Sequence, residues 1–224
     1  MTDSDNNTAL NPLEKINLVQ MEVLSENKTR VSYLKGENIF KQGAFAPYVI
    51  YVVEGLVKVY LQTGVEKQIN ISLAQKGDFL AFSSIFGENI HTYSTQALTD
   101  CEICMIEKET LKNLLLKNPQ FALEITSKNY RNERHLFEII KNVSYKQMRG
   151  KLASSLLYLS QEEFLKENVF SYLTRQDIAD FASISAESAI KFLKEFEKEK
   201  IIQLKGKNIA ITHLEKLESI SKNG

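Results

Sequence analysis

The 224-residue chain has no tryptophan, only three prolines and only two cysteines. So little proline, with nine glycines, excludes a collagen-like or proline-rich low-complexity chain. Two cysteines cannot staple a chain of this size. Together with the polar, acidic start MTDSDNNTAL, which does not read as a signal peptide, they lead to the expectation of a reducing cytoplasm. Long hydrophobic runs are missing too: the stretch from Tyr48 to Val53 is far short of the ~20 residues of a membrane span, so no membrane partner is expected. Neither sign of charge is in excess, with 28 Lys plus Arg against 28 Asp plus Glu. That balance lacks the basic footprint usual in a nucleic-acid binder, although a total averages over domains. What is present is a hydrophobic fraction of 43%, ordinary for a globular protein and against intrinsic disorder or a coiled-coil rod. The length suits one large domain or two modest ones, and two are expected.

The chain changes character midway. Between Arg30 and Glu107, the short runs RVSYLK, YVIYVVEG, LVKVYLQ, KQINISLA and CEICMIE are rich in β-branched and aromatic residues, several alternating apolar with polar. Gly36, Gly43, Gly55, Gly64, Gly77 and Gly87 fall between or beside them. Half-buried strands with frequent turns predict a small antiparallel sandwich or barrel. Helical spacing then takes over from Phe121 to Val143, with apolar Phe121, Ile125, Leu136, Ile139, Ile140 and Val143, and with Lys128, Arg131, Asn132 and Glu133 facing water. Such a helix, about 34 Å long, is expected to be a spacer or dimer seam, since Leu136, Phe137, Ile139 and Ile140 offer apolar surface on more than one side. Packing on its own β-domain is the alternative.

A core-facing helix is predicted from Gln147 to Ser160, and then the most informative stretch begins. Thr174-Arg175-Gln176-Asp177 has the form of a capping box, followed by the inner face Ile178, Ala179, Phe181 and Ala182. The turn Ser183-Ile184 leads to Ser185, a second N-cap, and to a helix through Glu187, Ile190, Leu193 and Phe196. Two short helices joined by a brief turn predict a helix-turn-helix. Residues Ile201 to Leu204 and Ile209 to Ile211, around the basic turn Lys205-Gly206-Lys207-Asn208, predict a wing. A generic helical hairpin beside a β-hairpin would share the pattern.

This arrangement suits double-stranded DNA, because the major groove admits one helix whose first residues meet base edges. Ser185, Ala186, Glu187, Ser188 and Lys191 would be presented there. Glu187 can accept from a cytosine amino group, and Lys191 can reach guanine or phosphate. Thr174, Arg175 and Gln176 sit at a helix N-terminus, which favours phosphate, and Lys205 and Lys207 would meet the backbone beside the groove. Residues 144–224 hold 13 Lys plus Arg against 11 Asp plus Glu, leaving 15 against 17 for residues 1–143. The asymmetry has the right sign and is small, so affinity must come from local placement and from paired copies.

TRQDIADFASISAESAIKFLKEFEKEKII resembles the helix-turn-helix of the CRP/FNR family of bacterial transcription regulators, TRxxIAxxxGxSxETxxRxLxxxxxxGLI. The earlier IFKQGAFAPYVIYVVEGLVKVY is similar to the opening of that family's cyclic-nucleotide-binding-type roll. The resemblance covers about residues 20–212. It implies an α+β chain with a jelly-roll-like antiparallel β-roll, a long dimerisation helix and a C-terminal winged helix-turn-helix. The expected division is a flexible terminus (1–19), an effector roll (20–116), a dimerisation helix (117–143) bearing Ile125, Leu136, Ile139, Ile140 and Val143, and a DNA-binding domain (144–224). It implies a non-enzymatic homodimer on a two-fold symmetric operator, with RNA polymerase a further partner for an activator. Ala186 stands where catabolite activators have a base-reading Arg, Glu187 matches their Glu, Ser188 replaces Thr and Lys191 replaces a second Arg, so the operator should differ.

In that family a Gly-Glu pair and a later Arg-Ser pair hold the cyclic nucleotide. Here Ala81-Phe82 and His91-Thr92 occupy those places. Without the cation opposite a phosphate the main charge-assisted bonds are lost, so cyclic AMP is not expected as ligand. The resemblance places the effector pocket at Ala81, Phe82, Phe86, His91, Thr92 and Tyr93, filled by its own side chains or open to another small molecule; the filled pocket is the expectation. Cys101-x-x-Cys104 lies in a predicted strand, where residues three apart face opposite ways, so structural thiols are expected. No cysteine precedes the roll as in oxygen-sensing members, and His91, His135 and His213 are scattered. No metal, iron-sulfur cluster or heme is expected. A cupin-type metalloenzyme would need clustered ligands, and only His91 lies in the roll. A winged-helix module for protein contacts is the other rival.

Overall fold

The computed structural model describes residues 28–224 apart from Glu66 and Glu88, with the backbone alone for Lys28 and residues 128–134. The expected terminus 1–19, the first residues of the expected roll and the solvent-facing assignment of Lys128, Arg131, Asn132 and Glu133 lie outside the described residues.

Eight strands form the N-terminal half: β1 (Lys28–Tyr33), β2 (Asn38–Phe40), β3 (Tyr48–Glu54), β4 (Val57–Gly64), β5 (Lys67–Ala74), β6 (Phe79–Leu80), β7 (Ser94–Ala97) and β8 (Cys101–Glu107). They pair in two antiparallel sheets, ordered β1-β8-β3-β6 and β2-β7-β4-β5. Alternation puts Val52, Val57, Val59, Cys101 and Ile103 in the apolar layer between the sheets. Cys104, three residues from Cys101, joins Val49, Tyr51 and Ile106 in the layer on the opposite face. Both thiols are buried and outside any disulfide, and burial pushes the Cys101 thiol upward, away from reactivity. At Gly55 the backbone has φ +96°, and a Cβ would lie 2.5 Å from the Asp100 carbonyl oxygen, so the β3–β4 turn requires glycine.

Helices α1 (Lys108–Lys117) and α2 (Pro119–Tyr145) follow. Asn118 ends one and caps the other, its side chain accepting from the Phe121 amide at 3.1 Å, with Pro119 in the first turn. At 27 residues, α2 is about 40 Å long. Its first half closes the roll: Phe121 and Ile125 are buried with Leu111, Leu114 and Val49. Ile125 therefore does not belong to a seam, because its period brings it under α1. Leu136, Phe137, Ile140 and Val143 further along are exposed, and Ile139 is partly so.

The C-terminal half comprises α3 (Met148–Leu159), α4 (Glu162–Lys166), α5 (Arg175–Ala182), α6 (Ala186–Lys198), the antiparallel pair β9 (Ile202–Lys205) and β10 (Asn208–Ile211), and α7 (Leu214–Asn223). Leu152, Leu156, Ile178, Leu193, Phe196 and Leu217 share one core. α7, for which the sequence carried no assigned signal, packs on α3 so closely that a Cβ on Gly150 would lie 2.6 Å from the Gly224 oxygen.

Ser183 ends α5 at φ 51°, where the family pattern has glycine, and its hydroxyl is buried without a hydrogen-bond partner. An L-residue in this conformation costs roughly 1–2 kcal/mol. Ser183→Gly is therefore expected to raise stability by about 1 kcal/mol, read as a higher denaturation midpoint at unchanged slope. An unchanged or lower midpoint would contradict the assignment of strain.

Candidate nucleic-acid interface

The capping box forms as the sequence predicts. The Asp177 amide donates to Thr174 Oγ1 at 3.0 Å, and the Thr174 amide donates to Asp177 Oδ2 at 2.9 Å. Ser185 caps α6, its hydroxyl accepting from the Ser188 amide at 3.2 Å. With Ala189, Leu193 and Phe196 buried beneath it, α6 presents exposed Ser185, Glu187, Ile190, Lys191 and Lys194, with Ala186 and Ser188 half-buried. Lys205 and Lys207 stand exposed at the turn of the wing beside it. The expected base-reading residues Glu187 and Lys191 and the wing lysines are thus all exposed.

Arg175 behaves differently. Its guanidinium donates to the carbonyl oxygens of Gly206 at 2.7 Å and Lys207 at 3.3 Å, so it ties the first helix of the motif to the wing turn. Thr174 and Gln176 remain exposed, but the Thr174 hydroxyl donates to Asp177 Oδ2 at 2.6 Å and the Gln176 side-chain amide donates to Asp180 Oδ1 at 2.7 Å.

The opposite face of α5 was not legible as functional, and it docks on the roll. Lys58, buried on the outer face of β4, donates to Asp177 Oδ1 at 2.5 Å, with side-chain exposures of 6% and 11%. Asn70 donates to the Asp177 carbonyl at 3.0 Å, and Gln68 donates to Asp180 Oδ2 at 2.9 Å. Burial works to raise the Asp177 carboxyl, but the Lys58 charge and the Thr174 hydrogen bonds overcome it and hold the carboxyl below its usual range. Asp180, with two amide donors and no cation in contact, is raised by burial. The only hint in sequence was Lys58 itself, which breaks an otherwise apolar stretch of LVKVYL.

Roll, long helix and reading domain also meet at His135. Its ring stacks on Tyr158 with centroids 4.1 Å apart, and its Nε2 lies 2.9 Å from the Ile71 carbonyl oxygen. Because a carbonyl only accepts, that nitrogen is the donor. The Leu73 amide in turn donates to the Tyr158 hydroxyl at 3.0 Å. Burial lowers the His135 pKa despite the Ile71 hydrogen bond and the Glu138 charge. His91, stacked on Phe40 at 3.8 Å, is lowered as well, by burial and by Lys108. A folded-state pKa below that of the unfolded chain means the unfolded chain binds more protons in the window between them, so stability falls as pH drops through it. The unfolding free energy is expected to decline from pH 7 towards pH 5.5, by up to about 1.4 kcal/mol per pH unit per group, read as a falling melting temperature, and His135→Gln is expected to flatten that decline. An equally steep profile in the variant would exclude His135 as a source.

Beside this junction lies a cavity of about 1160 Å³. The roll contributes Ile71, Phe79, Phe82, Phe86 and Tyr93, the long helix contributes Thr126 and Leu136, and the reading domain contributes Tyr158 and Phe164. The expectation of a filled pocket is corrected: Phe86 turns outward, 79% exposed, and its side chain forms a rim instead of a plug. Of the six expected pocket residues, Phe82, Phe86 and Tyr93 line the cavity. Ala81, His91 and Thr92 do not: Ala81 turns the chain at φ 55°, His91 is committed to Phe40, and Thr92 is exposed.

A β-roll, a long connecting helix, a cavity lined by roll, helix and C-terminal half, and a winged helix-turn-helix with an exposed recognition face together define a DNA-binding transcription regulator with a ligand-domain fold. Residues 30–118 match the cyclic nucleotide-binding domain and residues 150–220 the Crp-like helix-turn-helix domain. The chain is 30% identical over 213 residues to the fumarate and nitrate reduction regulatory protein of Vibrio cholerae, covering 92% of this chain and 83% of that one. It is 25% identical over 183 residues to the cAMP-activated global transcriptional regulator CRP of Salmonella typhimurium, covering 80% and 87%. The solved structure of the c-di-GMP responsive regulator CLP of Xanthomonas campestris shares the fold, with a TM-score of 0.75 at 18% identity over 87% of this chain and 99% of that one. The chain belongs to the CRP/FNR family of transcription regulators, which are not enzymes. No helix among the described residues is long and apolar enough to cross a membrane.

Proposed function

We propose that the chain acts as a homodimer joined along the second half of α2, reading a two-fold symmetric operator with one α6 per half-site, and that its effector is not cyclic AMP. The observation that carries the DNA reading is the exposed Glu187 and Lys191 on α6, with Lys205 and Lys207 beside them. The exposed Leu136, Phe137, Ile140 and Val143 support the seam. Phe82 where the family has its ribose-binding Glu, and His91 stacked away from the cavity, argue against a cyclic phosphate.

Gel shifts with genomic fragments at several salt concentrations test the reading. Sequence-specific binding with a modest negative slope of log K against log salt is expected; its absence at low salt would sink the proposal. Glu187→Ala and Lys191→Ala are expected to change the preferred operator by about 1–3 kcal/mol at single positions, whereas Lys207→Ala weakens all sequences alike. Identical behaviour of the three would refute this assignment of the recognition helix. Adding cyclic AMP is expected to leave the shifts unchanged.

A further inference from the structure

Helix α6 buries one stripe, formed by Ala189, Leu193 and Phe196, and presents another. On the presented side Glu187, Lys191 and Lys194 are exposed, and Ile190 stands among them at 39% exposure. Helical spacing puts Ile190 on one face with Glu187, three positions before it, and Lys194, four positions after it. Its side chain belongs to no core cluster of the chain. Every other exposed residue of α6 is Glu or Lys, and a β-branched side chain forms helix less readily than either. Single exposed apolar residues are common on protein surfaces. What distinguishes Ile190 is its place, on the face that carries Glu187 and Lys191 to base edges.

In a major groove Ile190 would lose its water whatever the sequence. Against the amino group of adenine or cytosine, or the carbonyl of guanine, it would also strip a polar edge of water and return no hydrogen bond. The 5-methyl group of thymine is the apolar feature of that groove, and covering a methyl with a branched aliphatic side chain is favourable on both sides. We infer that Ile190 reads thymine through its 5-methyl group, giving each half-site one position at which thymine is preferred. This rests on the reading of α6 as the helix that enters the groove, and it adds an apolar contact to the two charged ones. Side chains three apart on a helix have Cβ atoms about 5–6 Å from each other, and base pairs stack about 3.4 Å apart. The thymine therefore lies within about two base pairs of the base that Glu187 meets.

Selection from a random duplex pool with the full-length protein supplies the operator. Its thymines are then replaced by deoxyuracil, one symmetry-related pair at a time, which deletes the methyl and leaves the polar groups of the groove edge unchanged. At one such pair the parent protein is expected to lose about fourfold in affinity per methyl, or roughly fifteenfold for both half-sites together. Ile190→Ala is expected to bind the thymine and deoxyuracil operators equally, and Ile190→Val, which keeps two methyls on Cβ, to retain most of the discrimination. Selection with Ile190→Ala is expected to lose the thymine preference at that position and to keep the preferences set by Glu187 and Lys191. A parent protein indifferent to deoxyuracil at every position, or a discrimination that persists undiminished in Ile190→Ala, would overturn the inference and leave the DNA reading intact. A pool from which no sequence is enriched would defeat the DNA reading, and the thymine contact with it.

Discussion

Lys58→Met is expected to destabilise the chain by about 3–5 kcal/mol, the cost of leaving a buried carboxylate without its cation. Lys58 and Asp177 are both nearly inaccessible and 2.5 Å apart, so solvent screens neither. The Asp177 carboxyl, now held below its usual range by Lys58 against the effect of burial, should rise in the variant. The deficit is then expected to shrink on acidification as Asp177 takes up a proton. Asp177 also closes the capping box of α5, so Asp177→Asn is the appropriate partner change: its amide oxygen still accepts from the Thr174 amide. The double variant Lys58→Met with Asp177→Asn removes both charges and is expected to recover most of the loss, with a coupling of up to about 3 kcal/mol. Denaturant unfolding of the four proteins measures it. Additive losses would show that the pair does not hold the domains together.

The same pair has a consequence for DNA. It joins the outer face of β4 to the face of α5 that points away from the recognition helix, and Gln68 and Asn70 add two further bonds. Freed from this anchorage, the reading domain would sample orientations that must be given up again on an operator with fixed half-site spacing. A fall in operator affinity is therefore expected alongside the fall in stability, even for variants still folded at the assay temperature.

Splitting the proposed dimer should produce the largest change in function. Phe137 and Ile140 are 62% and 60% exposed on α2, and a charge at either position would have to be desolvated in an α2–α2 seam. Phe137→Glu with Ile140→Glu is expected to yield a monomer by light scattering. Operator affinity should drop about 10²-fold or more, because the second half-site then no longer benefits from the high effective concentration that the linkage provides. The fold of each chain should persist, since neither side chain belongs to a core cluster of the protomer. A variant that remains dimeric, or a monomer that binds the operator as well as the parent, would refute the seam.

Much of this architecture was legible in one dimension because local rules and tertiary outcome agree. The motif from Thr174 to Ile211 is built of caps, short-range periodicity and a two-residue wing turn, each set by neighbours a few positions away. The strand alternation around Cys101 and Cys104 likewise predicts opposite burial, as observed. The misreadings concern residues whose partners are distant in sequence. Ile125 shares the helical stripe of Leu136 and Ile140, and periodicity alone could not tell that α1 would cover the first half of the helix and leave the second bare. Ala81, His91 and Thr92 inherited pocket positions from a family pattern, whereas the conformation of the turn from Phe82 to Phe86 and the stacking of Phe40 on His91 decide which of those side chains line the cavity.

Zero net charge, few cysteines and the basic turn at Lys205-Gly206-Lys207 belong to the sequence alone, and from them follows the expectation that such a chain would read DNA by placement and pairing more than by bulk attraction. The docking of the reader on the roll is a tertiary matter. Lys58 and Asp177, 119 positions apart, look like ordinary surface charges until the outer face of β4 is covered by α5. Only then does the loss of water turn two common side chains into a mutual requirement, and the aromatic residues of two domains into the walls of one cavity.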